Sequence, residues 1–178
     1  MFKLETENLI LRDMQLSDES SFVEISQDAK YQRFYSESDS DPDKYKQLTK
    51  LFVEQSLEVP RKSYQLAIES KQTGIFIGIV CLRLEAEWQA SMGCGISRQF
   101  QGHGFIYEAV KKLASFGFNE LDIHRIYAET ISQNLAAIKL CKSLGMRQEA
   151  YYRENRFFKG QWWDTVVLAM LRSEWQQS

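Results

Sequence analysis

Gln99-Phe-Gln-Gly102-His-Gly104-Phe-Ile-Tyr-Glu-Ala109 is the stretch on which the reading of this chain turns. Before it, Met92-Gly-Cys-Gly-Ile96 reads as a strand. After it, Phe105 to Phe118 carries Ile106, Ala109 or Val110, Leu113 and Phe116 or Gly117 on one side, which predicts an amphipathic helix. Two glycines separated only by His103 join them. Glycine leaves backbone N–H groups open to a ligand, and the helix N-terminus adds partial positive charge, so the turn suits an anion such as a pyrophosphate. The same glycines would equally serve a bare tight connection. A P-loop would need Lys followed by Ser or Thr after the second glycine, and neither is there. The dinucleotide fingerprint would need a third glycine where Tyr107 stands. What remains is Gln99-x-x-Gly102-x-Gly104.

Working outward, Leu9 to Arg12 reads as a short strand, and Ser17 as the N-cap of a helix with Phe22, Ile25 and Ala29 inward. Ser36 to Asp43 is acidic and turn-rich, a surface loop. A longer helix follows it, with Tyr45, Leu48, Leu51 or Phe52, and Gln55 at helical spacing. Tyr64 to Glu69 and Ile75 to Leu84, joined by a turn at Lys71 to Gly74, predict a hairpin. Beyond the glycine turn, Arg125 to Thr130 is a strand. Asn134 caps a helix with Ala137, Ile138, Cys141 and Leu144 inward, and Gly145 supplies a left-handed stop. Thr165 to Leu171 closes the chain as a strand. Hairpins early and alternation late predict an α+β fold with a mixed sheet, not a doubly wound parallel one.

The composition excludes several classes. The chain has 178 residues, 44% apolar and 26% charged, with nine Gly and two Pro. That suits one domain over residues 1–178, long enough to bury about two-thirds of its unfolded surface without a staple. A net charge of −2 disfavours nucleic acid and anionic membrane surfaces. Cys81, Cys94 and Cys141 are widely spaced and accompanied by only two His, so neither a disulfide framework nor a metal site is expected. No apolar run approaches the ~20 residues that span a bilayer. Met1 to Asp13 has no signal-peptide core, so the expectation is a cytoplasmic protein.

The pieces in order resemble the GNAT acetyltransferases, and within them the RimJ/RimL-like N-acetyltransferases. Thr6 to Arg12 is similar to the family's opening strand, Gln99 to Gly104 with Tyr107-Glu-Ala to its acetyl-CoA loop, and Arg125 to Thr130 to its next strand. Asn134 to Ile138 with Leu144-Gly-Met146 looks like its Asn-headed helix, and Arg153-Glu-Asn155 with Lys159 to Asp164 like its late segment. The resemblance implies a three-layer α/β/α arrangement around a mostly antiparallel sheet with two splayed central strands. The pantetheine arm would lie in the gap on backbone groups of Cys94, Gly95, Ile96 and Ser97. N–H groups of Gln101, Gly102, His103, Gly104, Phe105, Ile106 and Tyr107 would hold the pyrophosphate. Asn134 would touch the arm as well as cap its helix.

The implied reaction is transfer of acetyl from acetyl-CoA directly to a primary amine, a peptide N-terminus or a small amine such as a polyamine or antibiotic. A CoA-binding module without catalysis is the alternative. Such a transfer needs a base for the ammonium, a donor for the oxyanion and help for the departing thiolate. A backbone N–H of Gly93 to Ile96 can serve the oxyanion. Glu129 and Glu154 are the candidate bases. Where many relatives carry a Tyr acid this chain has Cys141, and Ala137 replaces a Ser of RimL-like members. Glu37, Asp39 and Asp41 would attract a cationic acceptor, and one of Trp162 and Trp163 would wall its pocket while the other packs. Exposed aromatics are compatible with a homodimer.

Overall fold

Leu66 and Ile68 point to one side of their strand and Ala67 to the other, and that alternation divides the molecule into two cores. The computed structural model describes residues 1–175. Its strands are β1 (Lys3–Glu5), β2 (Leu9–Asp13), β3 (Ser63–Ser70), β4 (Phe76–Glu85), β5 (Gln89–Ile96), β6 (Arg125–Ile131), β7 (Arg147–Phe158) and β8 (Gln161–Leu171). Its helices are α1 (Glu19–Ser26), α2 (Pro42–Ser56), α3 (Phe105–Asn119), α4 (Leu135–Ser143) and the short α5 (Arg172–Trp175). The strands form one sheet in the order β1-β2-β3-β4-β5-β6-β8-β7. Every neighbouring pair is antiparallel except β5 with β6. This is the expected mixed α+β sheet.

The larger core lies between the sheet and α3 and α4, where Leu66, Ile68, Leu82, Ile126 and Leu168 meet Ala109, Leu113 and Phe118. Its helix α3 buries Ala109, Val110, Leu113, Ala114, Gly117 and Phe118. On the other face Phe22 of α1 and Tyr45 and Phe52 of α2 close over Ala67 and Phe76. A third, small cluster joins Ile131, Phe158 and Trp163, with Phe34 laid on Trp163 edge to face at 6.1 Å.

Besides Ala29, which lies exposed beyond the end of α1 and not on its inward face, two sequence expectations change here. Ser17 is not the N-cap of α1: a 3₁₀ turn over Leu16–Asp18 precedes the helix, and the Ser17 hydroxyl reaches only Gln15. The governing group is Asp18. It accepts from the Gln15 N–H at 2.8 Å and pairs with Arg12 at 2.8 Å, both side chains nearly buried. A buried guanidinium needs a counter-charge, and Asp18 supplies it together with Glu69 at 2.8 Å. The second change is β7, which the apolar pattern does not announce. It is an edge strand with nearly every side chain exposed, and its register with β8 shifts between Gln148 and Ala150 and between Tyr152 and Arg156. Exposure on both faces removes the period-two signal.

Candidate active site

Strand β5 pairs with β4 along its whole length but with β6 only from Gln89 to Ser91, opposite Arg125 to Tyr127. Past Ser91 the two central strands part. The phase of the β4–β5 ladder decides which groups face the opening. Ser97 donates its N–H to the Ile77 carbonyl at 2.8 Å. Alternation along an antiparallel pair then commits Gly95 to β4 as well, and turns the N–H and C=O of Cys94 and Ile96 toward the gap. Of the four residues expected to offer backbone groups there, two do so by this phase.

The glycine turn stands at the end of the gap. Gly102 and Gly104 have φ of 83° and 79°, in the region where a side chain is strained, and a Cβ at either would meet nothing within 4 Å. Glycine is therefore required by the backbone, and the space above it is open. Gly104 is the N-cap of α3 without a side-chain cap, and the first helical bond runs from the Glu108 N–H to the Gly104 carbonyl at 3.0 Å. The N–H groups of Gly104, Phe105, Ile106 and Tyr107 are the unpaired ones of a helix start. The Gln101 N–H, by contrast, is spent on the Arg98 carbonyl.

A cleft of about 1180 Å³ runs along these groups. Cys94, Gly95, Ile96, Gln101, Gly102, Gly104, Phe105, Ile106, Glu129 and Asn134 border it, as expected. Ser97, His103 and Tyr107 do not. The His103 ring stacks on Phe105 at 5.6 Å, and Tyr107 packs against the main core with Lys111 above its ring. Glu154 lies elsewhere, on the β7 bulge at φ 47°, in a recess with Tyr151, Arg153 and Asp164, and its N–H donates to Asp164 at 2.6 Å. It is therefore not beside Glu129. Asn134 caps α4 by accepting from the Ala137 N–H at 3.3 Å and donates to Thr130 Oγ1 at 3.1 Å.

The pleat sorts the walls by face. Met92 and Ile96 point into the α3 core, whereas a Cβ on Gly95 would point at the Tyr31 hydroxyl, 2.5 Å away. Glu129 sits opposite Val167, Ile131 opposite Thr165, and Arg156 opposite Trp163, all on the same face as Tyr31 and Phe34. The glycine turn and α4 thus serve one side of the gap, and Tyr31, Glu129 and Arg156 the other. Tyr31 stacks on Tyr35 at 5.6 Å, and burial holds its phenol well above its usual value, so it is protonated at neutral pH. Cys141, in the position of the missing Tyr, is core: burial raises its thiol to about 11. Sequence reading overlooked Tyr31, Tyr35, Arg33 and Arg156, because a 3₁₀ turn and an irregular edge strand carry no pattern that links them to the gap.

The acidic loop is not free to draw in a cation. Glu37 accepts the Lys159 N–H at 2.9 Å, and Asp41 caps α2 through the Asp43 N–H at 2.9 Å. Asp39 borders the cleft but is paired with Lys44 and Ser36, which hold its carboxyl below the usual range against the effect of burial. Neither tryptophan borders the cleft: Trp163 is buried on Phe158 and Phe34, and Trp162 is exposed beside Phe157. Among the described residues no group of His, Cys, Asp and Glu gathers as a metal site, and no helix is long and apolar enough to cross a membrane.

A sheet parted at its parallel pair, with the unpaired N–H groups of a helix start at the mouth, is the arrangement that the resemblance to acetyl-CoA-dependent transferases implies. The profile of the acetyltransferase (GNAT) domain matches residues 8–147, and the chain belongs to that family, whose members are acetyl-CoA-dependent acyltransferases. It is 28% identical over 178 residues to the uncharacterized N-acetyltransferase p20 of Bacillus licheniformis, covering 98% of this chain and 99% of that one. It is 30% identical over 84 residues to the ribosomal protein uS5-alanine N-acetyltransferase of Escherichia coli, covering 47% of this chain and 43% of that one. The fold superposes on the crystal structure of spermidine N-acetyltransferase from Vibrio cholerae in complex with CoA and spermine with a TM-score of 0.82, at 21% identity, covering 96% of this chain and 99% of that one.

Proposed function

We propose that this chain acetylates the α-amine of a peptide or protein N-terminus by direct transfer from acetyl-CoA. The observation that carries the reading is the parting of β5 from β6 beside an open helix start, which provides for an extended arm and a diphosphate in one line. Cys94 and Ile96 would pair with the pantetheine amides, and the N–H groups of Gly102, Gly104, Phe105 and Ile106 with the pyrophosphate. Asn134 keeps one amide hydrogen and one lone pair for the arm.

On the opposite face, Glu129 has no hydrogen bond or ion pair of its own among the described residues and borders the cleft, so it is the base that takes the ammonium proton, directly or through water. The freed amine attacks the thioester carbonyl, and an N–H of Cys94 or Ile96 holds the oxyanion. As the tetrahedral adduct collapses, the Tyr31 hydroxyl gives its proton to the departing sulfur and regains one, through water, from the nitrogen that becomes the amide; Cys141, which does not border the cleft, is not placed for this role. Glu154 has no part in this scheme. The uS5-alanine relative supports a peptide acceptor, and the spermidine neighbour marks a small polyamine as the second reading. Free Cys81, Cys94 and Cys141 fit a reducing cytoplasm. A homodimer contact would use the β7 edge and the start of β8 beside it, where Tyr151, Tyr152, Phe157 and Trp162 stand exposed.

The test is thiol release from acetyl-CoA with peptide N-termini, polyamines and amino sugars, on the protein and on Glu129→Gln and Glu154→Gln. Release with a peptide, lost by about 10²-fold or more in kcat for Glu129→Gln and kept in Glu154→Gln, is the expected result. CoA binding without release for any amine would make the protein a sensor, and no CoA binding would end the reading.

A further inference from the structure

The charges that line the acceptor side of the cleft do not match a polyamine. Lys30, Arg33, Lys44 and Arg156 border it, against Asp39 and Glu129. Asp39 and Lys44 satisfy one another. With Glu129 as the base, Lys30, Arg33 and Arg156 remain without an ion pair among the described residues, although Arg156 lies close enough to Asp39 to help hold its carboxyl down. All three cations are exposed and solvated, so what they set is a positive field on this side of the cleft, which favours an anionic ligand over a cationic one.

Two of these cations are placed about one aromatic contact. The Arg33 guanidinium lies 5.1 Å over the Phe34 ring, Phe34 contacts Trp163 at 6.1 Å, and Arg156 is the direct cross-strand partner of Trp163. The Phe34–Trp163 contact thus brings the Arg33 guanidinium to the face and strand position from which Arg156 projects, at the far end of the acceptor side. Planar guanidinium forks suit carboxylates. The spacing gives the register. From Glu129 to Arg156 is two strands across and four residues along, about 16 Å between Cα atoms by strand geometry. Side chains reaching in from both ends leave roughly 7–10 Å, two to three residues of extended peptide.

Resting on the transferase reading above, we infer that the acceptor is an acidic peptide N-terminus, with Asp or Glu at its second or third residue bound between Arg33 and Arg156. The positive field excludes polyamines and peptides with Lys or Arg at those positions.

The experiment compares tripeptide amides Ala-Asp-Glu, Ala-Gln-Gln and Ala-Lys-Lys, and spermidine. It uses thiol release and, separately, equilibrium binding of fluorescently labelled longer versions to the CoA complex. The acidic peptide should exceed the neutral one at least tenfold in kcat/KM and in affinity, with the basic peptide and spermidine lower still. The advantage should shrink between 50 and 500 mM salt. In Arg156→Gln and Arg33→Gln, folded by circular dichroism, the acidic and neutral peptides should come within about threefold, and Arg156→Glu should invert their order. Equal use of acidic and neutral peptides, a preference for spermidine, or a preference untouched by the Arg changes would overturn the inference. Preferential binding of the acidic peptide with no thiol release would uphold it and refute the transferase reading instead.

Discussion

Gly95→Ala is a sharp probe of how the site is built. An ideal Cβ there would stand 2.5 Å from the Tyr31 hydroxyl oxygen, 2.8 Å from Cε2 and 2.9 Å from Cζ. Ordinary contact between such atoms is about 3.5–4.0 Å, so the overlap is roughly 1 Å over three atoms. Tyr31 has little room to yield, because its ring stacks on Tyr35 with the planes 9° apart and packs on the α1–α2 core. Overpacking of this kind costs about 1–3 kcal/mol. For a chain of this size that lowers Tm by roughly 2–10 °C. In a Tyr31→Ala background the obstruction is gone and Gly95→Ala should cost less than about 0.5 kcal/mol. Urea unfolding of the four proteins of the cycle should therefore show a coupling of about 1 kcal/mol or more. Acetyl transfer supplies the second readout. Gly95→Ala pushes the Tyr31 phenol off the gap, and Tyr31→Phe deletes its proton. Both should lower kcat by about tenfold to a hundredfold while the affinity for CoA changes little. Additive stabilities within about 0.3 kcal/mol, or full activity of Tyr31→Phe, would refute the placement of that hydroxyl.

Other consequences are simpler to state. Gly104→Ala puts a side chain at φ 79°, a strain of about 1–2 kcal/mol that relaxes by turning the helix start, and calorimetry should show CoA binding weakened about tenfold. Cys94 borders the cleft, yet burial lifts its thiol to about 12. Its thiolate is therefore scarce at pH 8, so iodoacetamide should modify it far more slowly than an exposed cysteine until the protein unfolds. Asp18→Ala strips the Arg12 guanidinium of its main partner in a nearly buried place while Glu69 remains, and should cost about 3 kcal/mol in urea unfolding.

What the amino acids determined by themselves is local and periodic. The strand over Tyr64 to Glu69, the helical face of α3, the cap at Asn134 and the stop at Gly145 each follow from near neighbours along the chain, and the structure keeps all of them, although β3 is buried on both faces and not on alternate residues. The glycine turn was legible for the same reason: positive φ at Gly102 and Gly104 is a property of the residue before it is a property of the fold. The other half of the site comes from residues far apart in sequence. Tyr31 reaches Gly95 because α1 and α2 close one face of the sheet, and Arg156 shares a face of the sheet with Glu129 only because β8 inserts between β6 and β7. The role of a carboxylate was equally hidden. Nothing in Ser36 to Asp43 says that Asp39 will be neutralised by Lys44, that Asp41 will cap a helix, or that Glu37 will bind the backbone at Lys159. Charge along a sequence counts formal ions, whereas the field in a cleft depends on which ions remain unpaired after the chain has folded, and tertiary structure alone decides that.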